Sequence, residues 1–346
     1  MPMPRLHLAG RQRLSRISAV VAIVLPVLVV VASCSSSDER SAPRTSPAGA
    51  QKQSTTSVPG THPSTGCGEP PAVAGLASGS PGDVPLTFDS AGVERHYRLA
   101  VPDSYAAKVP ASLILNLHGS EANAVEQSLY SDLPRRGAAR GAIVIAPDAV
   151  NGSWQLTSEG SDDDFLVSLV QDVTHHYCVD LDRISVIGIS LGAWKASAVA
   201  CRHPDLFSSL VMVAEEVRPP GCPPLPVLAF HGTADHVVPY GEGGDPGVVV
   251  TTSNANLPGT RSNMTEWAKS AGCSTQPQVR RIGDDVELGT YPGCSKGIDV
   301  QLYTIHGGDH SWPGSSIVIL PTTKTISATD LALDFFASHR RPATLN

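Results

Sequence analysis

The chain has 346 residues, of which 41% are hydrophobic, and 25 Lys and Arg residues against 32 Asp and Glu residues give a formal net charge of −7. An acidic chain without a basic cluster excludes the usual nucleic-acid-binding proteins, whose affinity comes from Lys and Arg contacts to phosphates. The length fits one large α/β domain with additional segments.

Residues 1–33 have the pattern of a targeting segment. Four arginines precede an apolar stretch that Pro26 interrupts, and residues 31–34 read Val-Ala-Ser-Cys, a small-residue cleavage site directly before a cysteine. This predicts a lipoprotein signal peptide with lipidation at Cys34, and therefore a secreted, extracytoplasmic protein that contacts the cell membrane through its lipid anchor. An ordinary secretory signal with an incidental cysteine is the alternative, and a spanning helix is not expected because the run is short and contains proline.

Residues 34–66 are rich in Ser, Thr, Pro, Ala and Gly and contain almost no large apolar side chains. Such a composition cannot bury enough surface to offset the entropy of ordering, so it predicts a disordered tether. The globular domain is then expected over residues 67–346.

Six cysteines remain besides Cys34, and an even number in an exported chain predicts disulfides. Many pairings are possible, and the predicted set is Cys67–Cys178, Cys201–Cys222 and Cys273–Cys294. A metal site is the weaker alternative, because the cysteines are scattered and no Cys-x-x-Cys occurs. Neither a metal nor a cofactor is expected.

Apolar runs alternate with helical patterns through the globular part. The predicted strands cover residues 93–101, 112–117, 142–146, 184–189, 210–214, 226–230 and 300–305, and the predicted helices cover 163–177, the run after Ser190, 265–271 and 328–336. Continuous apolar runs between helices predict an α/β fold with a mostly parallel central sheet and helices on both faces. Functional residues in such sheets lie at the carboxyl ends of the strands.

Residues 188–192 read Gly-Ile-Ser-Leu-Gly and follow an apolar strand pattern, with a run of small helix-forming residues behind them. Strand, Gly-x-Ser-x-Gly and helix form the pattern of a nucleophile elbow, which predicts Ser190 as a catalytic nucleophile. Residues 293–297 also match Gly-x-Ser-x-Gly, but no strand precedes Ser295 and a strand pattern follows it. Ser295 is therefore predicted to be a loop serine.

Two further strand ends offer partners for this serine. Asp235 follows the strand that ends near residue 230, and His310 lies in a glycine-rich loop after the last strand. The histidine would take the serine proton and the aspartate would fix the histidine tautomer. The order Ser, Asp, His is that of α/β-hydrolases. The competing acids are Asp148 and Asp309, and the competing histidines are His236 and His306.

An oxyanion formed at this serine needs two N–H donors. One is expected from Leu191, directly after the nucleophile, and the other from Gly119 or Ser120, after the strand over residues 112–117. His118 and His231 stand at strand ends before glycine, where they are predicted to shape the turns.

Several segments resemble the polyhydroxybutyrate depolymerase and feruloyl esterase group of α/β-hydrolases, which is similar to carbohydrate esterase family 1. The matching segments are residues 117–119, 162–165, 177–183, 188–192, 203–207, 231–240 and 307–314. The resemblance implies the triad Ser190, Asp235 and His310, and a disulfide-bracketed insertion before the last strand. With the predicted lipid anchor, the chain resembles actinobacterial lipoprotein esterases. The chain departs from the family pattern at Asp309, where glycine is common. An acid beside His310 is expected to alter the pH optimum rather than the mechanism.

The insertion between residues 240 and 298 is expected to overhang the site. Trp154, Trp267 and Trp312 are candidates for lining a substrate pocket, although they are equally well explained as aromatic anchors of loops. The predicted function is that of a monomeric serine esterase acting on polyhydroxyalkanoate, feruloyl or acetyl polysaccharide, or short acyl esters. Acyl transfer to a cell-envelope acceptor and non-catalytic binding on a hydrolase scaffold are the alternatives.

Overall fold

The computed structural model describes residues 60–70, 82–156, 161–241 and 259–341, all within one compact unit that spans Ser54–Asn346. The predicted signal peptide, Cys34 and the tether as far as residue 59 lie outside the described residues. No helix within the described ranges is long and apolar enough to cross a bilayer.

A single ten-stranded sheet organises the described chain. The strands are β1 (Val84–Ser90), β2 (Val93–Ala100), β3 (Ala111–Leu117), β4 (Ala142–Pro147), β5 (Val179–Ile189), β6 (Ser209–Val213), β7 (Val227–Gly232), β8 (Gln278–Ile282), β9 (Val286–Thr290) and β10 (Val300–Ile305). Their order across the sheet is β1-β2-β4-β3-β5-β6-β7-β10-β9-β8. The six central strands, β4, β3, β5, β6, β7 and β10, are parallel to one another. At one edge β2 is antiparallel to β4 and β1 is antiparallel to β2. At the other edge β9 is antiparallel to β10 and β8 is antiparallel to β9. The mostly parallel α/β architecture is confirmed.

The helices are α1 (Ala124–Ser131), α2 (Leu133–Ala139), α3 (Ser161–His176), α4 (Leu191–Arg202), α5 (Thr260–Ser270) and α6 (Ala328–Ser338). Side chains alternate across each central strand, so each strand supplies two cores. In β5, Val186 packs with α3, α4 and α5, whereas Ile187 packs on the opposite face with α2 and α6. The helices therefore cover both faces of the sheet, as predicted.

The ordered domain begins earlier than the predicted boundary at residue 67. The backbone N–H of Ser64 donates to the carbonyl of Val179 at 2.8 Å, and the N–H of Leu181 donates to the carbonyl of His62 at 2.7 Å. Ser64 is buried. Residues 60–66 are thus not part of a disordered tether: backbone pairing with the start of β5 compensates for their lack of apolar side chains.

The three predicted disulfides are confirmed. Cys67 is bonded to Cys178 at the start of β5, Cys201 on α4 is bonded to Cys222, and Cys273 is bonded to Cys294. The last pair encloses the hairpin of β8 and β9. This hairpin pairs with β10 and extends the sheet sideways, so this part of the insertion does not overhang the site. Residues 242–258, its first part, lie outside the described residues.

Candidate active site

Ser190 occupies the turn between β5 and α4 in a strained conformation, with φ 56° and ψ −127°. Its N–H donates to the carbonyl of Val213 on the neighbouring strand at 2.8 Å. The glycines at either side are sterically required. A Cβ added to Gly188 would lie 2.3 Å from the carbonyl carbon of Gly192, and one added to Gly192 would lie 2.3 Å from the carbonyl oxygen of His118. Close packing of strand, turn and helix thus explains the Gly-x-Ser-x-Gly pattern.

An acid–base pair lies at the same carboxyl edge of the sheet. The Nδ1 atom of His310 is 2.8 Å from Oδ2 of Asp235, whose Oδ1 accepts the N–H groups of Val237 and Val238, each at 2.8 Å. Burial alone would raise the pKa of Asp235, but hydrogen bonds from His231 and His310 outweigh it and hold this pKa well below its usual value. The ionised carboxylate accepts a hydrogen bond from the Nδ1–H group of His310, which leaves Nε2 free to act as a base.

The described residues include no hydrogen bond from the Ser190 hydroxyl to His310. Such bonds are often long or poorly aligned without substrate and tighten when substrate binds. The His310 side chain is 13% exposed and the Asp235 side chain is completely buried. The histidine therefore has access to a substrate, whereas the acid behind it does not.

The loop after β3 passes directly beside the nucleophile. A Cβ added to Gly119 would lie 3.5 Å from the Cβ of Ser190, so the predicted oxyanion loop and the elbow are neighbours. Leu191 begins α4, and the N–H of a first helical residue has no acceptor within its own helix. This N–H is available to an oxyanion.

His118 fixes the peptide that follows it. Its Nε2 accepts the N–H of Ala149 at 3.0 Å, so Nδ1 carries the ring proton and donates to the carbonyl of Gly119 at 2.7 Å. Burial lowers the pKa of His118, which agrees with a neutral ring. Because the C=O and N–H of a trans peptide point in opposite directions, the N–H of Ser120 points away from the buried ring. The geometry thus favours Ser120 as the second oxyanion donor.

The competing acids and histidines have other partners. Asp148 accepts the N–H of Ala124 at 2.6 Å at the start of α1. Asp309 accepts the backbone N–H of His310 at 2.6 Å and pairs with the exposed ring of His236. His306 is 40% exposed and pairs with a glutamate on β9. Ser295 lies in the loop between β9 and β10, with no helix after it.

The three tryptophans predicted to line a pocket are buried instead, with exposures of 3% for Trp154, 1% for Trp267 and 0% for Trp312. Their ring N–H groups donate, respectively, to the carbonyl of His118, the carbonyl of Glu216 and the hydroxyl of Thr329. An indole with its N–H satisfied inside the protein contributes mainly packing. The structure corrects the pocket prediction: these residues anchor loops.

The sequence interpretation missed a buried group behind the triad. Glu215 and Glu216 follow the end of β6, and the Glu216 carboxylate oxygens lie 2.8 and 2.9 Å from Nδ1 of His231. The Nε2 atom of His231 is 2.8 Å from the carbonyl of Val238 and 3.3 Å from Oδ2 of Asp235. Two adjacent carboxylates directly after an apolar strand were the available signal.

No family model matches the chain. It is 30% identical over 277 residues to NocK, a proposed esterase of Nocardia uniformis subsp. tsuyamanensis, a match that covers 71% of this chain and 80% of that protein. It is 29% identical over 225 residues to feruloyl esterase B of Piromyces equi, covering 61% of this chain and only 41% of that relative's length. The solved acetyl xylan esterase from Aspergillus awamori aligns with a TM-score of 0.53 over 74% of this chain and 99% of that one, at 14% identity. This last similarity concerns the fold.

Proposed function

Because the chain belongs to the feruloyl-esterase-like α/β-hydrolases, which are carboxylic ester hydrolases, we propose that it cleaves its ester through an acyl-enzyme on Ser190. The observation that carries the proposal is the conjunction of two features at one sheet edge. Ser190 stands in a strained elbow between obligatory glycines, and the hydrogen bond between His310 and Asp235 leaves a basic ring nitrogen free.

The steps follow from these positions. Nε2 of His310 takes the proton of the Ser190 hydroxyl as Oγ attacks the ester carbonyl. The resulting oxyanion accepts the N–H groups of Leu191 and Ser120. When the intermediate collapses, the bond to the leaving alcohol breaks and His310 returns the proton to that alcohol. Water then attacks the acyl-enzyme by the same route, which releases the acid and restores the serine.

For the substrate we propose a feruloyl ester of a polysaccharide alcohol. The names of several relatives support this class, feruloyl esterase B of Piromyces equi and feruloyl esterase D of Neurospora crassa among them. Acetyl and polyhydroxyalkanoate esters are the other outcomes of a substrate test. A panel of methyl ferulate, acetylated xylan, hydroxybutyrate oligomers and short nitrophenyl esters separates them. The highest kcat/KM on methyl ferulate is expected, and a higher value on any other ester contradicts this assignment.

We also propose that the enzyme works outside the cytoplasm on a lipid anchor at Cys34. Its three disulfides are typical of proteins from oxidising compartments. Metabolic labelling with an alkyne fatty acid tests the anchor. The wild-type chain should carry the label and Cys34→Ala should lack it, whereas equal labelling of both would contradict lipidation at this residue.

The nucleophile is tested by labelling the purified protein, without its predicted signal segment, with a fluorophosphonate and mapping the modified peptide. An adduct on Ser190 is expected in the wild-type protein. The adduct should remain in the control variant Ser295→Ala, which removes the serine of the second Gly-x-Ser-x-Gly match. It should be lost in His310→Ala. Ser190→Ala should lower kcat by about 10³- to 10⁶-fold. Folded wild-type protein that forms no adduct would overturn the proposal.

The acid is tested in the same preparation with Asp148→Asn as the matched control. Asparagine has the same shape as the aspartate that it replaces. Asp148 is the competing acid, and its carboxylate accepts the N–H of Ala124 at the start of α1. Asp235→Asn should abolish most of the esterase activity, whereas Asp148→Asn should retain most of it. The reverse order would assign the acid to Asp148.

A further inference from the structure

His231 faces an acceptor at each of its ring nitrogens. Nδ1 lies 2.8 and 2.9 Å from the two carboxylate oxygens of Glu216, and the hydroxyl of Thr260 on α5 lies 2.8 Å from the same nitrogen. Nε2 lies 2.8 Å from the carbonyl oxygen of Val238, which can only accept. A neutral imidazole has one N–H and can serve only one side. An imidazolium donates to both sides at once. A neutral ring that donates from Nε2 to Val238 could accept at Nδ1 only from the Thr260 hydroxyl, and its Nδ1 lone pair would then face the Glu216 carboxylate at 2.8 Å.

This ring is also in contact with the acid of the proposed triad. Its Nε2 lies 3.3 Å from Oδ2 of Asp235, and the same oxygen accepts Nδ1–H of His310 at 2.8 Å. One carboxylate oxygen therefore stands between two histidines. The outer histidine reaches the substrate side, whereas His231 is only 1% exposed, as is the Glu216 side chain.

We propose that His231 is a positioning residue of the triad: a buried imidazolium, compensated by Glu216, that fixes the Asp235 carboxylate and weakens the negative field which this carboxylate exerts on His310. The effect on catalysis rests on the proposed function. The charge state of the ring is a property of the folded protein, and it can be measured without any substrate.

The other titratable groups around the ring agree with one positive charge between two negative charges. Burial raises the pKa of Glu215 to about 8, so this neighbour of Glu216 is neutral at pH 7. The Tyr240 ring packs edge-on against His231, with centroids 5.7 Å apart. Burial by itself would lower the pKa of His231, but the charge of Glu216 and hydrogen bonds with Asp235 and Glu216 outweigh it and raise this pKa well above its usual value.

The first test is a direct observation of the ring in the purified protein without its predicted signal segment, with ¹⁵N-labelled histidine imidazoles. At about pH 8 an ordinary histidine is neutral, since its pKa is near 6.5, and carries a single ring N–H. A proton–nitrogen correlation spectrum should show one imidazole with two protonated nitrogens, and this pair should be absent from the variant His231→Gln. A spectrum of folded wild-type protein in which every histidine is singly protonated would overturn the proposal.

The second test is the pH dependence of kcat/KM in the variant His231→Gln. Its amide can still donate a hydrogen bond to the carbonyl of Val238 but carries no charge. Without the imidazolium, His310 experiences the full charge of Asp235 and holds its proton more tightly. The midpoint of the acidic limb should therefore move upward by about 0.5 to 1 pH unit.

A matched control makes the same exchange at His306, which follows β10, is 40% exposed and pairs with Glu287. The pH profile of kcat/KM in His306→Gln should match that of the wild type.

The double variant Glu216→Gln/His231→Gln leaves no unpaired buried charge, so it covers the case in which the single variant does not fold. Its acidic limb should move in the same direction. Superimposable profiles of variant and wild type would overturn the effect on His310. Failure of the fluorophosphonate labelling would instead overturn the serine mechanism and leave the nitrogen spectrum unaffected.

Discussion

Glu215 should lower the free energy of unfolding as the pH rises, and one substitution should remove this effect. The residue is 4% exposed, and its carboxyl accepts the N–H of Val217 at 3.2 Å. Burial, and secondly the charge of Glu216, raise the pKa of Glu215 from the usual 4.5 to about 8. The folded protein therefore keeps this carboxyl protonated at pH values where the unfolded chain has already ionised it.

The sign and size of the effect follow from proton linkage. The contribution of Glu215 to the free energy of unfolding is fully present below its unfolded pKa and is lost as the pH rises to the folded value. The shift from 4.5 to about 8 corresponds to about 5 kcal/mol at about 1.4 kcal/mol per pH unit. Glutamine does not ionise, and its oxygen can still accept the Val217 N–H. Relative to wild type, Glu215→Gln should thus gain stability as the pH rises, by up to about 5 kcal/mol above pH 8.

Urea denaturation of both proteins at about pH 4.5, 6.5 and 8.5 measures this difference in the free energy of unfolding. The gain should be small at the lowest pH and greatest at the highest. Glu94→Gln, the same exchange at an exposed position on β2, is the control and should show no comparable trend. A stability difference between Glu215→Gln and wild type that does not change with pH would refute the reasoning, because a packing effect has no reason to follow this titration.

Three other outcomes are expected. Asp235→Asn should lower kcat by about 10⁴-fold in a steady-state ester assay, because the amide favours the wrong histidine tautomer; a loss below tenfold would contradict this role. Gly192→Ala should abolish fluorophosphonate labelling, since its Cβ would lie 2.3 Å from a backbone oxygen, whereas Gly241→Ala has open space at its Cβ and should label normally. Removing the Cys67–Cys178 disulfide, which spans 111 residues, by a double alanine substitution should cost about 4 kcal/mol in urea denaturation, and an unchanged midpoint would contradict it.

The parallel strands were predictable because both of their faces are buried. Strands β3 to β7 and β10 consist largely of apolar residues, and burial on two faces removes the polar alternation that marks a surface strand. Strands β1, β8 and β9 were not predicted, and for β8 the reason is the opposite one. In β8, Gln278 to Arg281 are all exposed, so its sequence carries no pattern of burial. Helix α1 has only eight residues and ends at Asp132 in a left-handed conformation, which makes it too short for a clear periodic signal.

The sequence predicted the candidate triad from residues that follow the ends of parallel strands, where topology alone brings them to one edge. The pair formed by Glu216 and His231 was not predictable. Glu216 follows β6 and His231 lies near the end of β7, and their contact depends on the register of those strands, in which Val213 lies opposite Phe230. The sequence left two roles open for the tryptophans because position in the chain does not reveal the direction of a side chain. Trp154 turns inward onto His118, with ring centroids 4.9 Å apart.

The placement of β8 at the outer edge of the sheet has a consequence for self-association. A free strand edge presents unpaired backbone groups with which another copy of the chain can form hydrogen bonds. In β8 this edge carries Arg280 and Arg281, both exposed, on opposite faces of the sheet. Edge-to-edge pairing of two copies would bring like-charged arginines near each other on each face, and their repulsion opposes the contact. The hairpin thus widens the sheet and closes it with a charged border that discourages aggregation.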